Sequence, residues 1–184
     1  MSYIENGNSA KLYSYKGVSP NIHPSAFLCD GVKIIGDVEI GENCSVWFNT
    51  VIRGDVHFIK IGNNTNIQDM SMLHVTNGKY SLNIGNNVSI AHSVTLHGST
   101  IKDNVLIGIG AKVLDNSVVN SFSLVAAGSL VRENFVVPEG VLVAGVPAKI
   151  VRDLNEREIE MIKQTPINYI NYSKEFRNSI KAID

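Results

Sequence analysis

Residues 101–144 read IKDNVL IGIGAK VLDNSV VNSFSL VAAGSL VRENFV VPEGVL VA, so Ile101, Ile107, Val113, Val119, Val125, Val131, Val137 and Val143 recur at every sixth position. A helix with a period of 3.6 cannot keep a six-residue repeat on one face, and a plain strand of period 2 does not call for a small or turn-forming residue in each repeat. Each hexad therefore reads as one short strand plus a corner. Working back toward the N-terminus, the same spacing links Ile34, Ile40, Val46 and Ile52, then Ile61, Ile67 and Leu73, then Ile84, Ile90 and Leu96, with a step of five from Leu96 to Ile101. The 20 asparagines and 15 glycines supply corners, because these residue types accept the left-handed backbone region that others resist. Three hexads close one triangular turn, and stacked turns place parallel strands about 4.8 Å apart around a narrow aliphatic bore. The expected fold is all-β, a parallel β-helix of hexapeptide repeats with a C-terminal α-helix.

The period breaks twice. Three residues are extra between Ile52 and Ile61, within Gly54-Asp55-Val56-His57-Phe58, and five between Leu73 and Ile84, within Thr76-Asn77-Gly78-Lys79-Tyr80-Ser81. Both insertions are expected to bulge from the coil. The repeat occupies residues 21–150. Residues 1–20 read as an irregular leader with an edge strand at Lys11 to Tyr15. Residues 151–184 form a helical segment opened by a capping box of Asn155 and Glu158 and expected to break at Thr165-Pro166. Tyr169, Tyr172, Phe176 and Ile180 then recur at helical spacing as a packing stripe.

Composition narrows the function classes. The 184 residues are 44% hydrophobic, 18% charged and 7% aromatic, with a formal net charge of -1. Such a chain suits one domain, and it has no basic excess to draw phosphate backbones or anionic lipid. Met1 to Asn8 lacks the pattern of a signal peptide, and Val141 to Ala148 falls far short of the roughly 18 apolar residues of a membrane span. A soluble, cytoplasmic protein with no nucleic-acid or membrane partner is expected, its two cysteines, Cys29 and Cys44, reduced.

Three of the five histidines, His74, His92 and His97, lie in the middle of the coil. With the five-residue insertion removed, Leu73 and Leu96 are three hexads apart, so His74 and His97 stack on one edge in adjacent turns. Removing the three-residue insertion puts Arg53 in the same column. His92 lies on another side of the triangle, in a column assigned also to Gln68. Two imidazoles about 4.8 Å apart can share a metal, but His92 of the same chain cannot join them. Around a threefold axis a neighbouring chain can bring it across, giving a homotrimer with three equivalent tri-histidine sites. Three imidazoles leave the open position characteristic of catalytic zinc, where the pKa of water falls to about 7. Imidazole ligands suit Zn2+, Fe2+ and Co2+ alike. His23 and His57 fit no constellation.

The surrounding residues resemble a known family. Trp47 through Asp55 reads Trp-Phe-Asn-Thr-Val-Ile-Arg-Gly-Asp; Ile61 through Asp69 and Ile84 through His92 follow, then Leu96-His97-Gly98. From about Tyr15 onward this is similar to the γ-class carbonic anhydrases and their bacterial relatives within the hexapeptide-repeat superfamily, whose coil is a left-handed parallel β-helix. The resemblance implies reversible hydration of carbon dioxide to bicarbonate, with His74, His92 and His97 as metal ligands. It also implies that Gln68 hydrogen-bonds the metal-bound ligand and that Arg53 and Asp55 pair near the subunit interface. Asn66 and Asp69 match the supporting polar network, and Tyr169 matches a tyrosine that lines the pocket.

Two departures bear on rate. The archaeal prototype of the class has proton-moving glutamates directly after the position of Asp55 and in the loop after His74; here Val56 stands at the first, and Thr76-Asn77-Gly78-Lys79-Tyr80 holds no acid. Water ionisation is then expected to be slow unless buffer or another residue exports the proton. Two other readings are a hexapeptide-repeat acyltransferase or CoA-thioester-handling protein using one histidine as general base, and a metal-binding relative with little hydration activity.

Overall fold

The computed structural model describes residues 10–181. Short parallel strands alternate with corners from Asn21 to Val143, and the aliphatic residue of each hexad points into the bore. Along one face Ile52 pairs with Leu73, Leu73 with Leu96, Leu96 with Val113 and Val113 with Val131. On the second face Ile61, Ile84, Ile101, Val119 and Val137 stack in register. A third face stacks Leu28, Val46, Ile67, Ile90, Ile107, Val125 and Val143. Most of these side chains are fully buried, and each removes roughly 1.5–3 kcal/mol of apolar surface cost from water.

The corners explain the asparagines. Asn43, Asn64, Asn87 and Asn104 all adopt left-handed φ of 54–56° at one corner of successive turns. The first three form an amide ladder in which Asn43 Nδ2 donates to Asn64 Oδ1 at 3.3 Å and Asn64 Nδ2 to Asn87 Oδ1 at 3.1 Å.

Both insertions occur where expected. Gly36 pairs with Gly54 and Val38 with Ile59, so Asp37 alone faces Asp55–Phe58, which accounts for three extra residues. The strand Val51–Ile61 nevertheless runs on through this bulge around a corner of the prism. A Cβ on Gly54 would lie 2.4 Å from the Asp37 carbonyl oxygen, so the crossing tolerates only glycine. The second insertion closes as a tight turn with Thr76 N–H donating to Tyr80 O at 3.0 Å. It leans on the first, Gly78 N–H donating to Val56 O at 3.1 Å.

Of the expected leader, residues 1–9 lie outside the described residues, as do 182–184 of the C-terminal segment. An edge strand does form at Lys11–Tyr13, parallel to Lys33–Ile35. At the other end Ala148–Asp153 turns back antiparallel on Val141–Gly145. The C-terminal helix, Glu156–Ser179, starts at the expected capping box, with Asn155 Oδ1 accepting from Glu158 N–H at 2.9 Å. The expected break at Thr165-Pro166 does not occur, and the helix is continuous. Proline in a helix interior costs about 3 kcal/mol. Here Pro166 is buried beside the corner asparagines Asn64 and Asn87, and the Thr165 hydroxyl donates to Met161 O, so packing offsets the lost backbone bond. Half of the expected stripe packs: Tyr169 and Phe176 meet Trp47 edge-on with centroids 5.4 and 5.0 Å away, whereas Tyr172 and Ile180 are exposed.

Candidate metal centre

His74 and His97 are register partners at the ends of the strands Met72–His74 and Thr95–His97. Inward-pointing Leu73 and Leu96 force the next residue outward, so both rings stand on the outer edge of the coil with centroids 5.0 Å apart. Arg53, one residue beyond Ile52 on the turn below, reaches the same edge through Asp55, its Nη1 donating to Asp55 Oδ2 at 2.5 Å. The other oxygen, Asp55 Oδ1, accepts from His74 Nε2 at 3.1 Å. Burial pushes the Asp55 carboxyl up, but the hydrogen bonds from Arg53 and His74 outweigh it and hold the group below its usual range. For His74, burial together with the charges of Arg53 and His97 outweighs the Asp55 hydrogen bond and favours the neutral imidazole.

His97 has its own carboxylate. Its Nδ1 lies 2.6 Å from Asp115 Oδ1, and Thr76 Oγ1 donates to Asp115 Oδ2 at 2.7 Å. The carboxylates thus take His74 Nε2–H and His97 Nδ1–H, leaving His74 Nδ1 and His97 Nε2 to face each other at 3.0 Å. A proton shared by the two nitrogens satisfies that contact, and in its place a divalent metal could be held by both, so the donor set fits such an ion.

His92 stands apart on a corner, its Nδ1 2.8 Å from Asp69 Oδ2. Among the described residues no three histidine, cysteine or acidic side chains of one chain converge as a metal cluster. The column assigned to His92 needs correcting. Ile67 pairs with Ile90, so Gln68 lies opposite Ala91 and it is Asp69 that lies opposite His92. The slip is one residue along a shared side. Gln68 is buried, its Nε2 donating to Asn66 Oδ1 at 3.0 Å while Asn66 Nδ2 donates to Ser89 Oγ at 2.8 Å. Tyr169 lies near this polar row, and burial followed by the Asp69 charge pushes its hydroxyl up to about 12. It keeps its proton at neutral pH.

Sequence reasoning missed Asp115 and Thr76. Asp115 is one step off the histidine column and Thr76 sits inside an insertion, so neither shares the periodicity that exposed the others.

The model of the bacterial transferase hexapeptide (six repeats) matches residues 19–54. A carbonic anhydrase of Geobacillus kaustophilus is 42% identical over 166 residues, covering 89% of this chain and 91% of that protein. The chain belongs to the γ-class carbonic anhydrase family of hexapeptide-repeat proteins. Mitochondrial γ carbonic anhydrase 1 of Arabidopsis thaliana is also 42% identical, over 85% of this chain, and the chain spans 58% of the length of that plant relative. Among solved structures, a hexapeptide transferase family protein from Anaplasma phagocytophilum superposes with a TM-score of 0.85 at 40% identity, covering 91% of this chain and 98% of that one. Family membership brings a metal cofactor in general, and the paired carboxylates and imidazoles described above are the groups of this chain suited to it.

Proposed function

We propose that this protein catalyses the reversible hydration of carbon dioxide to bicarbonate at a divalent-metal site. In this reading His74 and His97 come from one chain and His92 from its neighbour in a homotrimer. One observation carries it: each of the three histidines has a carboxylate on one ring nitrogen, Asp55 for His74, Asp69 for His92 and Asp115 for His97, the arrangement that orients an imidazole to offer its other nitrogen to a metal. Family membership supports the chemistry. Zn2+, with Fe2+ or Co2+ as substitutes, would be held by His74, His97 and the neighbour's His92 and would supply hydroxide at neutral pH for the hydration of carbon dioxide.

The chain's own side chains do the rest. Gln68, its amide oriented by Asn66, presents its remaining polar atoms to the incoming oxygen and orients carbon dioxide or bicarbonate. Arg53, 42% exposed at its side chain, holds Asp55 and offers the subunit junction a positive charge. Asp69 orients His92, and Tyr169, packed on Trp47 and Tyr172, lines the pocket on that side. Neither Val56 nor the turn Thr76–Tyr80 supplies an acid, so proton export falls to buffer. The buried free thiols Cys29 and Cys44, pushed up by burial to about 12 and about 11, stay protonated at neutral pH, and the reading includes a cytoplasmic location.

Metal analysis of protein purified without chelators, followed by stopped-flow hydration, tests the reading. We expect one metal per chain, loss of metal in His74→Ala, His92→Ala and His97→Ala, retention in His23→Ala and His57→Ala, and a hydration rate that climbs with buffer concentration. A metal-free protein that transfers an acyl group from a CoA thioester would establish the transferase reading instead. A loaded protein without hydration would make this a metal-binding relative. A rate insensitive to buffer would require a relay within the chain.

A further inference from the structure

We propose that Asp115, locked in place by Thr76, is the positioning residue of His97: it sets the tautomer and the ring orientation with which His97 meets a metal. The proposal rests on the metal reading of the three histidines. Asp115 occupies the corner after the strand Lys112–Val113, one turn above the site. Leu96 pairs with Val113, so Gly98 lies opposite Asp115, and Asn116 N–H donates to Gly98 O at 2.8 Å. From there the carboxylate reaches diagonally back to His97 Nδ1 at 2.6 Å.

Three features make this a built contact. Both oxygens are engaged, Oδ1 with His97 and Oδ2 with the Thr76 hydroxyl at 2.7 Å, so the carboxylate cannot rotate without breaking one bond. Space is cleared for it: Gly98 has φ of +49°, and a Cβ there would lie 2.3 Å from Asp115 Oδ1 and 2.8 Å from Tyr80 Cβ. The insertion after His74 delivers the third part, because its tight turn from Thr76 to Tyr80 and its bond to Val56 fix the hydroxyl over a corner that an uninterrupted coil would not reach. A neutral imidazole whose Nδ1–H is held this way must present Nε2 to its neighbour, and Nε2 is the atom that faces His74. Asp103 provides the contrast. It also sits at a corner of the coil, but among the described residues it accepts from Asn86 and pairs with no histidine.

The test is competition with a chelator for Co2+ and Zn2+ on the assembled full chain, together with the visible spectrum of the Co2+ form and the melting temperature without metal. Asp115→Ala should weaken metal binding about 10–100-fold and alter the Co2+ spectrum, at a metal-free melting temperature near the parent's. Asp115→Asn, which keeps an oxygen acceptor for Nδ1–H, should restore the spectrum and most of the affinity. Thr76→Val should fall between parent and Asp115→Ala, while Thr76→Ser and Asp103→Asn should match the parent. Parental affinity and spectrum in Asp115→Ala would overturn the proposal, provided His97→Ala loses its metal. So would a loss that tracks a lowered metal-free melting temperature and is not rescued by asparagine. Retention of metal by His97→Ala would overturn the metal reading itself, and the proposal with it.

Discussion

The edge bearing His74 and His97 and the corner bearing His92 are built from the same hexads, yet they are finished differently. On the first, two rings in register face each other, each backed by a carboxylate, and the Asp55–His74 pair is 16–18% exposed. On the second, one ring stands alone with Asp69, and the pair is 34–45% exposed. A solenoid supplies columns cheaply, because every residue placed after an inward aliphatic repeats one turn higher. It cannot supply convergence between columns on different sides, since the bore lies between them. In the proposed site the first edge would supply two histidines and the second edge of a neighbouring chain the third, because one coil cannot unite them.

The largest expected effect breaks that division outright. His92→Ala chains and His97→Ala chains should each hold no metal alone. Mixed in one trimer they should regain sites, because one type of junction joins an intact His74/His97 pair to an intact His92. Metal content of co-purified, differently tagged chains reads the result. Mixed trimers without metal, or a monomer that retains metal in sedimentation, would show that the two edges do not complete each other.

A smaller effect sharpens the contrast in support. Asp55→Asn removes a charge bound by both Arg53 and His74, and an amide turns a donor toward one of them, so metal affinity should fall toward the upper part of the 10–100-fold range typical of carboxylates behind a ligand. Asp69→Asn disturbs one partly exposed pair that water can serve, and the loss should be about 10-fold or less. Chelator competition ranks the two. The reverse ranking would show that the half-exposed corner, once covered by its neighbour, is the edge that orders the site.

How much of this was legible in the sequence follows from which residues are periodic. Inward aliphatics fill a bore with no room for error, so their period revealed the turns, and subtracting the insertions after Ile52 and Leu73 put His74 opposite His97. The same counting slips by one for Gln68, because Ile67 pairs with Ile90 and His92 stands two residues past Ile90 in the corner, opposite Asp69. Asp115 escaped because its contact with His97 is diagonal between turns, and diagonals leave no period. Pro166 misled for a different reason: its local penalty is real, but burial against the coil is a tertiary effect that no local window contains.

The smallest expected effect is a titration, and it probes the more buried edge directly. In metal-free protein the His74 imidazole should titrate below its ordinary value of 6.5, because burial and the charges of Arg53 and His97 outweigh the hydrogen bond to Asp55. The unfolded chain then binds more protons than the folded one in that window. The contribution of His74 to stability is therefore complete above pH 6.5 and is lost as pH falls through the folded value. Asp55 stays ionised throughout, since Arg53 and His74 hold it below the usual carboxylate range. Arg53→Ala should move the His74 midpoint up by two routes: it removes a repelling charge, and it leaves Asp55 freer to stabilise the imidazolium. Histidine proton shifts followed by NMR read the midpoint, and metal-free melting temperatures across the same pH range read the linkage, whose slope should flatten in Arg53→Ala. A midpoint at or above 6.5 in the parent would show that the Asp55 hydrogen bond dominates, and that this edge stores a proton between its rings rather than presenting two neutral ligands to a metal.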